Sequence, residues 1–161
     1  MIKLVFIMET RSSNKSDWMY IKSSIDYFYK PRTFTLDKIF ATTKSELISQ
    51  DTKIKNKIDD PTREVKVIIV ADYDREEDLN DKIIKYCNDN DYDLVWMNLD
   101  VEDVYLGKQV PDNRKKSEAI NFQYKKHKLL PKLTGLANTS PLKTRHTTNL
   151  LVVLDKYISR I

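Results

Sequence analysis

Four short apolar runs, KLVFIM (3–8), TFTLDKIFAT (33–42), VKVIIVA (65–71) and DLVWMNL (93–99), alternate with stretches in which bulky residues recur at helical spacing. A short apolar run with little polar/apolar alternation reads as a strand covered on both faces. Strands separated by helices pair in parallel, through right-handed crossovers. The order β-α-β-α-β-α-β therefore predicts an α/β fold: a central, mostly parallel sheet of about four strands with helices on both faces.

The intervening stretches support this reading. In 18–29, Trp18, Ile21, Ile25, Phe28 and Tyr29 fall on one helical stripe, with Ser16 or Asp17 as cap and Pro31 as stop. Tyr20 and Tyr27 lie off that stripe. Residues 44–57 read as a polar helix with Leu47, Ile48, Ile54 and Ile58 as its sparse apolar face. Residues 76–90 read as a helix with Leu79, Ile83, Ile84 and Cys87 inward and an acidic first turn that suits the helix dipole. Beyond Asp100 come a short helix (101–106), a basic helix (114–128), a loop with Pro131, Gly135 and Pro141, and an amphipathic closing helix (147–161). A chain of 161 residues fits one domain, 1–161, with a sheet core (1–100) and a basic, mostly helical C-terminal elaboration (101–161).

Composition removes several function classes. No apolar run approaches the length needed to span a bilayer, and IKLVFIM is too short for a signal peptide, so no membrane partner and a cytoplasmic location are expected. The lone Cys87 agrees with a reducing compartment. With two glycines in the chain, Gly107 and Gly135, a glycine-rich phosphate cradle is excluded. His127 has no second histidine at ligand spacing, which argues against zinc.

Charge is unevenly spread. Residues 101–161 hold 12 Lys/Arg against 5 Asp/Glu, whereas the first hundred hold 16 against 19. An acidic front half beside a basic back half points to a polyanion held near a carboxylate cluster. Arg114, Lys115 and Lys116, then Lys125, Lys126 and Lys128, form two basic clusters suited to tracking phosphates, with Arg145 as a further candidate. The aromatics between those clusters, Phe122 and Tyr124, read as an apolar stripe packed on the core.

The acidic counterpart lies at the strand ends. VIIVADYDREED (67–78) runs from a buried strand into Asp72-Tyr73-Asp74, Glu9 ends the first strand, and Asp100 and Glu102 follow the fourth. Ligands of open α/β sheets bind at the carboxyl ends of the strands, where these acids would meet. Strand alternation would send Asp72 and Asp74 to one side. Grouped hard oxygens suit Mg²⁺ or Mn²⁺, which keeps several waters and takes further oxygens from phosphate. The competing reading is that an Asp after a strand caps the next helix.

A glutamate ending the first strand with DxD after a later one resembles the Toprim fold of topoisomerases, primases and OLD-type nucleases. KLVFIMET (3–10), VIIVADYDREED (67–78) and MNLDVEDVYLG (97–107), with TSPLKTRHTTNLLVVLD (139–155) more distantly, are similar to segments of the small RloB-like Toprim proteins of prokaryotic defence loci. The resemblance implies a three-layer Toprim-like fold and a metal-dependent nuclease cleaving phosphodiesters of DNA or RNA in phage defence. Glu9 would be the acid/base, Asp72 and Asp74 metal ligands, and Glu102 an accessory acid at the metal. A partner ATPase and a homo-oligomer are further expectations. The sequence departs from the family after Glu9, where Thr-Arg-Ser-Ser replaces the usual glycine and second acid, and no acid follows until Asp17. That departure keeps a second reading open: a non-catalytic nucleic-acid- or protein-binding module on a Toprim-like scaffold. A third is a haloacid-dehalogenase-type phosphatase, which normally carries DxD on its first strand and would leave Glu9 unexplained.

Overall fold

In a computed structural model of the protein, residues 1–10 and 15–161 are described. The loop residues Arg11, Ser12 and Ser13, at which the sequence departs from the RloB-like pattern, lie outside them. β1 (Ile2–Glu9), β2 (Phe34–Ala41), β3 (Glu64–Tyr73) and β4 (Asp93–Asn98) form one sheet in the order β2-β1-β3-β4. Every pairing is parallel. The helices are α1 (Ser16–Phe28), α2 (Asp51–Ile58), α3 (Glu77–Asn90), α4 (Val101–Leu106), α5 (Lys115–Tyr124), α6 (Lys126–Leu129) and α7 (Leu150–Leu154).

Alternation along the buried strands builds two cores. Leu4, Phe6 and Met8 of β1 join Ile68 and Val70 of β3 beneath α1, α4, α5 and α7. Val5 and Ile7 join Val67, Ile69 and Ala71 on the other face, where Ile54 of α2 and Ile83 and Cys87 of α3 cover them. The result is the expected three-layer α/β fold, an architecture that Rossmann-like and Toprim-like proteins share. Among the described residues no helix is long and apolar enough to cross a membrane.

Several local expectations are corrected. Ser16 and Asp17 lie inside the first turn of α1, whose cap position is Lys15 with φ +51°. Tyr20 is fully buried, with its ring 5.1 Å from both Tyr105 and Phe122, while Trp18 and Phe28 are only half-buried. α1 must face α4 and α5 as well as the sheet, so its buried surface is wider than one stripe. Residues 44–57 divide into a 3₁₀ turn (Ser45–Ile48) and α2. Ile84 of α3 is exposed, and Asn80 is buried in its stead.

The basic stretch 114–128 breaks at Lys125, whose N–H is shared by the carbonyls of Asn121 and Phe122, a tightened last turn. The closing helix is confined to α7. Thr148 bridges Met97 at the edge of β4, and its N–H donates to the Gly135 carbonyl at 2.8 Å. These bonds hold 147–148 extended. At the far end Arg160 bridges Tyr29, and the Ile161 N–H donates to the Phe28 carbonyl.

Candidate functional site

The strand order reverses direction at β1: the chain moves from β1 outward to β2, then returns to place β3 on the other side of β1. The two crossovers diverge between the carboxyl ends of β1 and β3, and the crevice so opened is where α/β sheets bind ligands. Glu9 ends β1 at that point, and Asp72 is the penultimate residue of β3. β3 runs two residues beyond the apolar stretch, so Asp72 is in the sheet, paired with Met97 of β4. Parity with Ile68 and Val70 aims Asp72 at the α1/α4/α5 face, while Tyr73 turns to the other face and packs edge-on against Trp96.

A cavity of about 310 Å³ opens there. Its wall carries six carboxylates, Glu9, Asp17, Asp72, Asp100, Glu102 and Asp112, and one ammonium, Lys115. Each arrives on a different structural cue. Asp17 comes from the first turn of α1, and Asp100 is the N-cap of α4, accepting the Asp103 N–H at 2.8 Å. Glu102 follows in the first turn of α4 and is 1% exposed, and its Oε1 has no hydrogen-bond partner among the described residues. Lys115 opens α5 and lies 3.3 Å from Asp112.

So many like charges in a partly closed space resist ionisation. Burial pushes the Asp17 carboxyl up to about 8, and Glu102, Glu9 and Asp100 add to the rise against the opposing pull of Lys115. Burial likewise holds Asp72 well above the usual carboxylate range, reinforced by Asp17, Asp100, Glu9 and Glu102. Glu102 is raised by burial. Glu9 is raised by burial too, with Asp74 and Glu76 contributing and Lys44 and Lys115 opposing. It senses charges on both faces because it stands at the sheet edge between them. Burial works against the Lys115 ammonium, yet Glu102, Asp112 and Asp17 outweigh it and raise its pKa. One lysine does not balance the site.

Asp74 is placed elsewhere. The strand ends at Tyr73, so alternation no longer governs the next residue, and Asp74 does not join Asp72 at the cavity wall. Its Oδ1 accepts from Lys44 Nζ at 2.8 Å and from the Glu76 N–H at 3.0 Å, at the start of α3. Lys44 is buried and also donates to the Asn80 side chain, whose Nδ2 donates back to the Asp74 carbonyl at 3.1 Å. This closed network anchors α3 to the turn after β2 and explains the burial of Asn80.

The basic candidates divide. Lys115 belongs to the cavity, Arg114 is 3.3 Å from Glu118, and Lys126 is 3.8 Å from Asp26. Lys116, Lys125 and Lys128 are exposed and their side chains make no ion pair or hydrogen bond among the described residues. Arg145 extends into solvent 3.8 Å from the buried Asp103, against whose Oδ2 His146 Nδ1 rests at 3.0 Å. Phe122 packs on the core as expected, but Tyr124 is 86% exposed. Cys87 is buried, and burial pushes its thiol up to about 12, as suits an inert core thiol.

Asp17 and Asp112 are the cavity acids that motif reasoning passed over. Asp17 had a usable signal, being the first acid after Glu9 at the start of a helix following β1. Asp112 had none, since its approach depends on how the 107–114 segment returns to the sheet. Comparison with protein-family models, curated proteins and solved structures returned no match.

Proposed function

We propose that the chain is a metal-dependent nuclease that cleaves phosphodiester bonds in nucleic acid, with its active site in the cavity between β1 and β3. The observation that carries this reading is Glu102: a carboxylate sealed from water, with an unpartnered oxygen, in a wall of acids that resist ionisation. Buried charge without a partner is costly, and with six carboxylates against one lysine this wall is short of positive charge.

The donor set is all hard oxygen, which fits Mg²⁺ or Mn²⁺. Asp72, Glu102 and Asp17 would hold the ion, with Glu9 and Asp100 alongside. Among the described residues no three acids already converge as a finished ligand set, and an ion that keeps most of its waters is held through one or two carboxylates. Bound there, a divalent ion would supply Lewis-acid polarisation of a phosphate oxygen and offset the charge developing on it.

The chain's own residues supply the remaining functions. Glu9, whose pKa burial raises, is suited to take the proton of an attacking water and return it to a leaving oxygen. Lys115, in the same cavity, is placed to donate to a non-bridging phosphate oxygen. The exposed lysines of α5 and α6 hold the flanking backbone. A second reading, a binding module without turnover, is favoured by one observation: Asp74 pairs with Lys44 and does not line the acidic wall.

The test is calorimetric titration of Mn²⁺ and Mg²⁺ into wild type and Asp72→Asn, followed by cleavage assays on labelled DNA and RNA with Glu9→Gln as control. Saturable binding lost in Asp72→Asn, with cleavage lost in Glu9→Gln, supports the nuclease. Binding without cleavage supports the binding module, and no binding in the presence of oligonucleotide refutes the metal site.

A further inference from the structure

From the surface of α5 and α6 we infer that the strand form this protein prefers is single-stranded, with Tyr124 as a stacking platform for an unpaired base. This names the substrate class of the nucleic-acid reading above and rests on it for the polyanion. Its own support is the surface.

Tyr124 ends α5 with 86% of its area in water and has no ring partner among the described residues. The other aromatic side chain of that helix, Phe122, is 1% exposed and packs against Tyr20 and Tyr105. The helix thus has a well-filled apolar side, and Tyr124 contributes nothing to it. A lone exposed aromatic needs no explanation on a neutral surface. Here it stands beside Lys125 and four residues from Lys128, both exposed and without an ion pair or hydrogen bond among the described residues, as is Lys116 on the same helix.

An aromatic face with mobile ammonium groups beside it matches base-plus-phosphate chemistry. Stacking on an exposed ring requires a base whose own face is free, which a duplex does not offer. Lysines that make no internal ion pair remain available to release counterions from a polyanion. Lys115 at the start of α5 lines the acidic cavity, and Tyr124 lies nine residues on, about 14 Å along the helix axis and on the opposite side of the helix. A strand held at Tyr124 would therefore reach the cavity by passing around α5.

The experiment is fluorescence anisotropy with a labelled mixed-sequence DNA single strand, the RNA of the same sequence, and the matching DNA duplex. EDTA is present throughout, so that metal plays no part. Variants are Tyr124→Ala, Tyr124→Phe and Lys125→Gln/Lys128→Gln, all at exposed positions, with folding checked by circular dichroism. Single strands should bind at least tenfold tighter than duplex, with the DNA and RNA arms showing which sugar is preferred. Tyr124→Ala should weaken single-strand binding roughly tenfold, Tyr124→Phe should restore it, and duplex binding should not change. The lysine pair variant should lower the log-log salt slope on single strands by about 1.4. Equal or tighter duplex binding, a Tyr124→Ala variant that binds like wild type, or no binding at low salt each overturns the inference. Because metal is absent, failure here is separate from failure of the metal site.

Discussion

Replacing Asp17 with Asn should stabilise the metal-free protein, although it removes an acidic residue from the first turn of a helix, where acids are ordinarily favourable. The reason is linkage. The Asp17 carboxyl is pushed up to about 8 in the folded chain against 3.8 for the unperturbed group. Between those values the native state binds more protons than the unfolded state, so stability falls as pH rises across this window and levels off above about 8. Below pH 3.8 the group is protonated in both states and contributes nothing. At pH 7 the burden is about 4 kcal/mol at roughly 1.4 kcal/mol per pH unit, and water reaching the partly exposed side chain screens it to about 2 kcal/mol. Asn keeps the shape and an acceptor for the Ser16 hydroxyl, 3.4 Å from Asp17 Oδ1, but carries no charge. Thermal unfolding in EDTA should therefore show Asp17→Asn about 4–8 °C above wild type at pH 7, with the gap closing as pH approaches 4. Saturating Mg²⁺ should reverse the order, since wild type gains RT ln(1 + [Mg²⁺]/Kd) and the variant gains little. An Asn variant less stable than wild type in EDTA at pH 8, or a gap independent of pH, would refute the electrostatic account of the cavity.

Two further outcomes test the framework around the site. Tyr20 is fully buried and its hydroxyl has no partner among the described residues, so Tyr20→Phe should leave urea stability unchanged or raise it by up to about 1 kcal/mol, and a loss above that would mean the hydroxyl is satisfied. A Cβ on Gly135 would lie 2.4 Å from the His146 carbonyl oxygen, so Gly135→Ala should cost about 1–3 kcal/mol by displacing the 145–148 segment from β4, read as a lower denaturant midpoint.

The strands were legible because a sheet covered on both faces leaves unbroken apolar runs, and VKVIIVA gives way to charged residues within two positions of where β3 ends. Helix existence was legible from periodicity, but helix extent was not. The segment 147–161 has the pattern of one amphipathic helix, yet Thr147 and Thr148 are captured by β4 and Gly135, bonds to partners 12 or more residues away that local spacing does not encode. The burial of Tyr20, off the stripe, has a related cause: α1 is covered by two further helices as well as the sheet, so one stripe does not define its buried surface.

By itself the sequence determined the layered α/β class, the parallel pairing and the arrival of Glu9 and Asp72 at one edge, because these depend on hydrophobic pattern and on the short reach of chain between strands. Which acids share the cavity was decided by the tertiary structure alone. Asp74 is two residues from Asp72 but leaves the strand and pairs with Lys44. Asp17, Glu102 and Asp112, dispersed along the chain, are brought to the same wall by the packing of α1, α4 and the turn before α5. Charge repulsion acts through space, and only the folded chain sets those separations.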